Sequence, residues 1–159
     1  MTSADLPTVI DIAAVVHPSL PEDTAIFAER LKLYPGGCYV FERRHVIEGY
    51  VVSHPWAGEP PALNKMLGEL PAAPTTYYFH DLALLPSARG GGAASDIVVR
   101  LAGHARAQGF ATVSLVAVGG SAGFWQQHGF AVVEGSAPAA KLASYGGGAW
   151  LMTRRLTRA

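Results

Sequence analysis

The first third of the chain carries apolar residues at the spacing of helices. Apolar positions three and four residues apart predict one helix over residues 3–16 and a second over 21–33. His17-Pro18 ends the first helix, because the residue before a proline avoids helical backbone. The second helix ends at Pro35-Gly36-Gly37, where a proline and two glycines follow one another.

The middle of the chain is rich in residues that favour strands. Two short runs, 38–42 and 46–53, are separated by three residues and predict an antiparallel hairpin. The proline-rich stretch 54–75 predicts a long ordered loop with one helical turn near 64–70, and loops of this length are commonly functional. The aromatic-rich run 76–85 predicts a central strand.

Helices and strands alternate in the last seventy residues. The pattern predicts two helices, over 91–108 and 121–128, and three strands, over 111–118, 129–134 and 149–156. Because a strand, a helix and a strand follow one another over 76–118, these two strands should be parallel with a right-handed crossover. The sequence therefore predicts a mixed α/β fold.

Composition and charge exclude several classes of protein. A chain of 159 residues, half of them hydrophobic, predicts a single domain over 1–159 with one sizeable core. The formal net charge is zero, which gives no electrostatic basis for binding nucleic acid or an anionic membrane. With no signal-peptide pattern and no unbroken apolar run near 18 residues, we expect a cytoplasmic protein. Cys38 is the only cysteine, and its apolar neighbours predict a buried, inert thiol, with a nucleophile as the alternative. The six scattered histidines predict no metal site.

The most informative segment is 82–95, where a strand runs into a glycine-rich helix start. The glycines at 90–92 remove Cβ atoms where a ligand approaches the backbone, and free N–H groups at a helix start bind phosphate. Arg89 adds a positive charge beside them. The P-loop and the dinucleotide fingerprint fit poorly, because Ala93-Ala94 replaces the required Lys-Ser and Ser95 replaces the third glycine. A tight turn without a ligand is the alternative interpretation.

Two motifs resemble the GNAT superfamily of N-acetyltransferases. In that family an apolar-Ala-apolar strand end precedes Arg/Gln-x-x-Gly-x-Gly/Ala, and here Leu82-Ala83-Leu84 precedes Arg89-x-x-Gly92-x-Ala94. The family's second motif is a helix that ends in an aromatic pair followed by Gly-Phe, and here Phe124-Trp125 precedes Gly129-Phe130. The resemblance is strong over residues 76–135 and looser before them.

The resemblance implies a GNAT-like central mixed sheet flanked by helices, with a V-shaped splay between the strands ending near Leu84 and Val118. It also implies acetyl-CoA as the acyl donor, with the acetyl group passing directly to an amine. The strand backbone would hold the pantetheine arm, the loop the diphosphate, and the aromatic helix the thiol end. The CoA-binding residues implied in this way are Leu82, Ala83, Leu84, Arg89, Gly90, Gly91, Gly92, Ala93, Ala94, Ser95, Ser121, Phe124 and Trp125.

His80 is the first candidate for the general base. The family often places a Glu or His base on this strand, and imidazole titrates near neutral pH. A hydrogen-bonded core histidine is the alternative interpretation. Asp81 would face the other way in a regular strand, but a bulge, which the family often has here, would turn it inward as a second catalytic candidate.

The general acid is less evident from the sequence. The family often has a Tyr and an Asn where this chain has Trp125 and Gly119, and an indole N–H does not protonate a thiolate at neutral pH. Tyr145, from the loop before the last strand, is therefore the proposed acid. Tyr78 or water are the alternatives.

The acceptor pocket is expected between the first two helices, the hairpin and the proline-rich loop. The predicted lining residues are Tyr34, His54, Trp56 and Tyr78, which suit a small-molecule amine, with a peptide as the second choice. A non-catalytic module that binds acyl-CoA on the same fold is the rival function. The family commonly opens with a strand that this chain lacks, so an uncovered sheet edge predicts a homodimer.

Overall fold

A six-stranded sheet with the strand order β1-β2-β3-β4-β6-β5 forms the frame of the protein. This computed structural model describes residues 1–133, 142 and 144–157. The strands are β1 (Cys38–Arg43), β2 (Val46–Trp56), β3 (Thr76–Leu84), β4 (Thr112–Ala117), β5 (Ala131–Val132) and β6 (Trp150–Arg155). The helices are α1 (Leu6–Val16), α2 (Thr24–Leu33), α3 (Ala93–Ala107) and α4 (Ala122–Gln127), with short 3-10 turns at Ser3–Asp5, Pro35–Gly37 and Pro86–Ala88.

The sheet is antiparallel except where β3 and β4 meet. These two strands are parallel and are joined by α3, as the pattern of strand, helix and strand predicts. They pair only from Tyr77–Val113 to Phe79–Leu115, although β3 continues to Leu84. The mixed α/β fold and the V-shaped splay between these strands are therefore confirmed.

Hydrophobic side chains cover the two faces of the sheet separately. On one face, the buried stripe of α3, which includes Val98 and Leu101, packs with Trp125 of α4. On the other face, Val9 of α1 and Phe27 of α2 pack against the other side of the strands. The helices thus leave the edge strands β1 and β5 at the two sides of the sheet, and homodimer formation at an edge stays a prediction.

The structure corrects the sequence-based boundaries around the proline-rich loop. Strand β2 continues to Trp56, so the loop begins at residue 57, and its stretch 64–70 contains a turn instead of a helical turn. A proline is tolerated at Pro55 because this end of β2 pairs with β3 alone, while β1 pairs no further than Cys38–Val52. Strand β5 has two residues, and Glu134 of the predicted strand lies outside the described residues.

Within the described residues, no helix combines the length and the apolar character needed to cross a bilayer. Nor does this part of the chain contain a group of three or more His, Cys, Asp or Glu side chains that could hold a metal ion.

Gly37 tests how tightly the turn between α2 and β1 is packed. A Cβ at Gly37 would lie 2.0 Å from the carbonyl oxygen of Ser53, whereas a Cβ at Gly36 would meet nothing within 4 Å. We expect Gly37→Ala to destabilise the protein by about 1–3 kcal/mol, because backbone atoms of β2 must move. Thermal unfolding of Gly37→Ala and of the control Gly36→Ala measures this, and equal melting temperatures would contradict it.

Candidate active site

The diverging ends of β3 and β4 open onto a cleft of about 1120 Å³. Leu82 and Leu84 line it from β3, and Val116 and Val118 line it from β4 and the residue after it. Trp125 of α4 closes part of the wall. Because the strands separate here, backbone groups that would otherwise pair across the sheet face the cleft.

The glycine-rich turn forms one part of this cleft, at the amino-terminal end of α3. Gly90 and Gly92 have φ angles of +80° and +86°, which side chains with a Cβ rarely adopt. No side chain caps α3, so the N–H groups of its first turn are free to bind an anion. Arg89 donates from Nε to the carbonyl of Leu84 at 3.1 Å, which holds the guanidinium beside the turn.

Other residues that the motifs imply for CoA binding fall into two groups, those that line the cleft and those that do not. Ser121, Phe124 and Ser95 line the cleft, and Ser95 Oγ lies 3.1 Å from His128 Nε2, so α3 and α4 are linked at the turn. Ala93, Ala94 and Trp125 also line the cleft. Two residues do not line it: the side chain of Ala83 is buried against α1 and α2, and Gly91 lies at the exposed surface of the turn.

His80 lies in the cleft and is held by Glu22. Its Nε2 is 2.9 Å from Glu22 Oε2, and the two side chains are 1% and 5% exposed. Burial alone would raise the pKa of Glu22, but the hydrogen bond and charge of His80 outweigh it, and the pKa falls below its ordinary value. An ionised Glu22 accepts the Nε2 proton, which leaves the lone pair of His80 on Nδ1. This Nδ1 is buried and has no partner among the described residues.

A bulge in β3 brings Asp81 into the same cleft. The register with β2 shifts from Val52–Asp81 to Ser53–Phe79, so His80 is the extra residue. Both His80 and Asp81 line the cleft. In a regular strand they would face opposite sides of the sheet.

Asp81 has two partners, His17 and Tyr50. His17 Nε2 lies 3.0 Å from its Oδ1, and the Tyr50 hydroxyl donates to its Oδ2. Burial would raise the pKa of Asp81, but His17 and Tyr50 outweigh burial and lower it. Burial would likewise lower the pKa of His17, but Asp81 outweighs burial and raises it. The cleft therefore contains two neighbouring imidazole–carboxylate pairs.

Tyr145 lines the cleft, but its hydroxyl is engaged elsewhere. It donates to the carbonyl oxygen of Pro61 at 2.7 Å. Burial raises the pKa of Tyr145 to about 12. A hydroxyl bound in this way holds the loop that contains Pro61 and is poorly placed to donate a proton to a substrate.

The four residues predicted to line the acceptor pocket do not line the cleft, which corrects that expectation. Tyr34 packs beside α3, where its hydroxyl is 2.8 Å from His104 Nε2. Trp56 donates to the carbonyl of Glu59 on the outside of the loop.

His54 and Tyr78 lie buried behind His80. Their rings are 6.2 and 6.4 Å from the His80 ring, centroid to centroid. Burial lowers the pKa of His54 to about 3, so this imidazole is neutral, and burial raises the pKa of Tyr78. These two side chains support the ring of His80 from the protein interior.

Sequence reasoning missed His17 and Glu22 as site residues. It treated His17 only as the end of a helix and included Glu22 in the predicted helix 21–33 without a functional role. Glu22 also accepts from the backbone N–H of Asn64 at 3.0 Å, which fixes the proline-rich loop to this segment. The only local signal was the position of His17 after one predicted helix and of Glu22 at the start of the next, beside the expected acceptor pocket.

Comparisons with known proteins agree with this geometry. The family model described as the acetyltransferase (GNAT) family matches residues 7–130. No curated protein matches the sequence at a significant level.

Three solved structures illustrate the similarity in fold. The GphF GNAT-like decarboxylase in complex with isobutyryl-CoA has a TM-score of 0.81 and 18% identity, with 99% of this chain and 97% of that chain covered. Ard1 from Thermoplasma volcanium has a TM-score of 0.75 and 17% identity, over 99% and 95% of the chains. N-acetylglutamate synthase from Neisseria gonorrhoeae, complexed with coenzyme A and N-acetyl-glutamate, has a TM-score of 0.67 and 20% identity, over 99% and 34%. Identities this low show a shared fold only, whereas the family model covers most of the chain. This chain therefore belongs to the acetyltransferase (GNAT) family.

Proposed function

We propose that this protein transfers the acetyl group of acetyl-CoA to a primary amine of a small molecule. The observation that carries the proposal is the His80–Glu22 pair, which lies in the same cleft as the free N–H groups at the start of α3. One part of the cleft can thus bind the phosphates of a cosubstrate, and another can remove a proton from a nucleophile.

Support for acetyl-CoA as the acyl donor comes from the turn at the start of α3. Its N–H groups and Arg89 suit the diphosphate of CoA, and the cleft between β3 and β4 suits an extended pantetheine arm. Two proteins of the same fold are described with isobutyryl-CoA and with coenzyme A. Acetyl is proposed as the acyl group because the family is described as acetyltransferases.

Support for an amine as the acceptor comes from the charges in the other part of the cleft. The pKa values of Glu22 and Asp81 both lie below their ordinary values, so both carboxylates are ionised at neutral pH. They attract an ammonium group, the form in which a primary amine arrives. Leu20 and Leu63 add apolar walls. A small amine fits this combination, and a peptide amino terminus is the second choice.

The chemistry follows from the orientation of His80. Glu22 holds Nε2, so Nδ1 accepts a proton from the ammonium group directly or through water. The free amine attacks the thioester carbonyl, the carbon–sulfur bond breaks with its electron pair on sulfur, and the nitrogen loses its second proton to solvent. The extra residue of a β-bulge is left out of the ladder of hydrogen bonds, so the backbone N–H at the bulge can stabilise the developing oxyanion.

Replacement of His80 tests the general base. We expect His80→Ala to lower kcat/KM by about 10²-fold, the contribution typical of a positioned base. The measurement is amine-dependent release of the CoA thiol over a panel of small amines. The control is His45→Asn, because the His45 side chain is 99% exposed on the hairpin turn and has left-handed backbone that Asn tolerates. Equal rates in the wild type and His80→Ala would contradict the role of His80.

A negative charge at Gly91 tests the phosphate site. Gly91 is exposed and a Cβ there meets nothing within 4 Å, so Gly91→Asp should leave the melting temperature unchanged. It should raise the Kd for CoA about tenfold or more, because like charges repel at close range. The control is Val99→Glu, which adds the same charge at a 64% exposed position of α3. Calorimetric titration measures both, and equal CoA affinities in the two variants would contradict the site.

A further inference from the structure

His17, the imidazole of the second imidazole–carboxylate pair in the cleft, has no role in the mechanism above. His17 follows α1, and its Nε2 lies 3.0 Å from Asp81 Oδ1. This nitrogen is buried, yet it makes no hydrogen bond of good geometry with any described residue. Asp81 thus places a negative charge near Nε2, but its oxygen does not lie in line with the Nε2–H bond. Tyr50 holds the other carboxylate oxygen, which fixes Asp81 in place.

The groups around His17 favour its protonated form. Burial and the charge of Arg89 lower its pKa, but Asp81 and Glu22 together raise it by more. The pKa rises above the ordinary value, so His17 keeps its proton to higher pH than a free imidazole. A thiol such as that of CoA has an ordinary pKa of about 8.5, so its thiolate takes a proton readily from this imidazolium.

The order of residues along β3 places the two imidazole–carboxylate pairs beside different atoms of the thioester. Leu84 and Leu82 lie nearer the phosphate site, then comes Asp81 with His17, and then His80 with Glu22. His80 is roughly 10–13 Å from Leu84 along the strand. We consider a thioester that binds with its phosphates at α3 and its arm along β3. Its sulfur then lies beside the His17 pair, and its carbonyl lies farther along the strand, beside the His80 pair.

We propose that His17 is the general acid that protonates the departing thiolate. The proposal rests on the function proposed above. As the amine nitrogen bonds to the carbonyl carbon, the carbon–sulfur bond breaks and its electron pair goes to sulfur. His17 Nε2 gives its proton to that sulfur, and His80 holds the first proton lost by the ammonium group. The second proton leaves the nitrogen for solvent as the amide forms, and solvent restores both histidines. The products are the acetylated amine and the free thiol of CoA.

His17 fills this role better than the residue selected from the sequence. The hydroxyl of Tyr145 already donates to the carbonyl of Pro61, and burial raises its pKa to about 12. The indole of Trp125 cannot supply a proton at neutral pH. Among the cleft residues that the structure describes, His17 combines a raised pKa with an N–H direction that no partner occupies.

The test varies the acidity of the leaving thiol. With acetyl-CoA, we expect His17→Gln to lower kcat/KM for the thioester by about 10²-fold. With the acetyl thioester of an acidic aryl thiol, whose thiolate leaves without a proton, we expect a loss smaller than about threefold. His80→Gln is the matched control, because loss of the base should slow both thioesters equally. The same loss of activity with both thioesters in His17→Gln, or no loss with acetyl-CoA, would overturn the role of His17.

Wild-type protein gives a second readout that needs no variant. Above the pKa of His17 the acid is deprotonated, so the rate with acetyl-CoA should fall relative to the rate with the aryl thioester as pH rises. A ratio that does not change with pH would overturn the proposal. If the wild type transfers the acetyl group but shows neither the thioester dependence of His17→Gln nor the change of ratio with pH, only the role of His17 is overturned. If the wild type shows no amine-dependent transfer with either thioester, the proposed function and the role of His17 are both overturned.

Discussion

Adjacent side chains in a regular strand face opposite sides of a sheet, and the site of this protein depends on one exception to that rule. The register between β2 and β3 shifts at His80, so that residue is inserted without a partner. As a consequence His80 and Asp81 both face the cleft, each with a different partner. Without the shift, one of the two imidazole–carboxylate pairs would be lost to the opposite face.

The partners of these two residues come from the short connection between α1 and α2. His17 and Glu22 belong to that connection, and Glu22 also accepts a hydrogen bond from Asn64 of the proline-rich loop. The same loop is fixed to α2 by the buried pair of Glu29 and Arg30, since Glu29 accepts from two backbone N–H groups of the loop and Arg30 donates to the carbonyl of Lys65. The proposed acceptor side is therefore built from segments that hold one another in place.

The sequence predicted the elements best where local chemistry determines them. Residues 82–95 combine a strand, glycines and a helix start, and the structure has that order, with the splay beside it. The proposed acceptor side was predicted poorly because its contacts are long-range: His80 and Glu22 are 58 residues apart, and no local pattern pairs them. Aromatic residues such as Tyr34 were chosen for their chemistry, but their burial is decided by packing across the sheet. The predicted strand likewise ended at residue 53, before Pro55, and only the pairing of its neighbours explains why β2 continues.

The central claim is that one cleft holds the phosphates at α3 and the reacting thioester between two histidines. A crystal structure of the protein with acetyl-CoA tests it most directly. We expect diphosphate oxygens within hydrogen-bond distance of the first N–H groups of α3, the sulfur beside His17, and the acetyl carbonyl at the bulge near His80. Acetyl-CoA bound with its diphosphate away from residues 90–95, or with its sulfur remote from both histidines, would contradict the account.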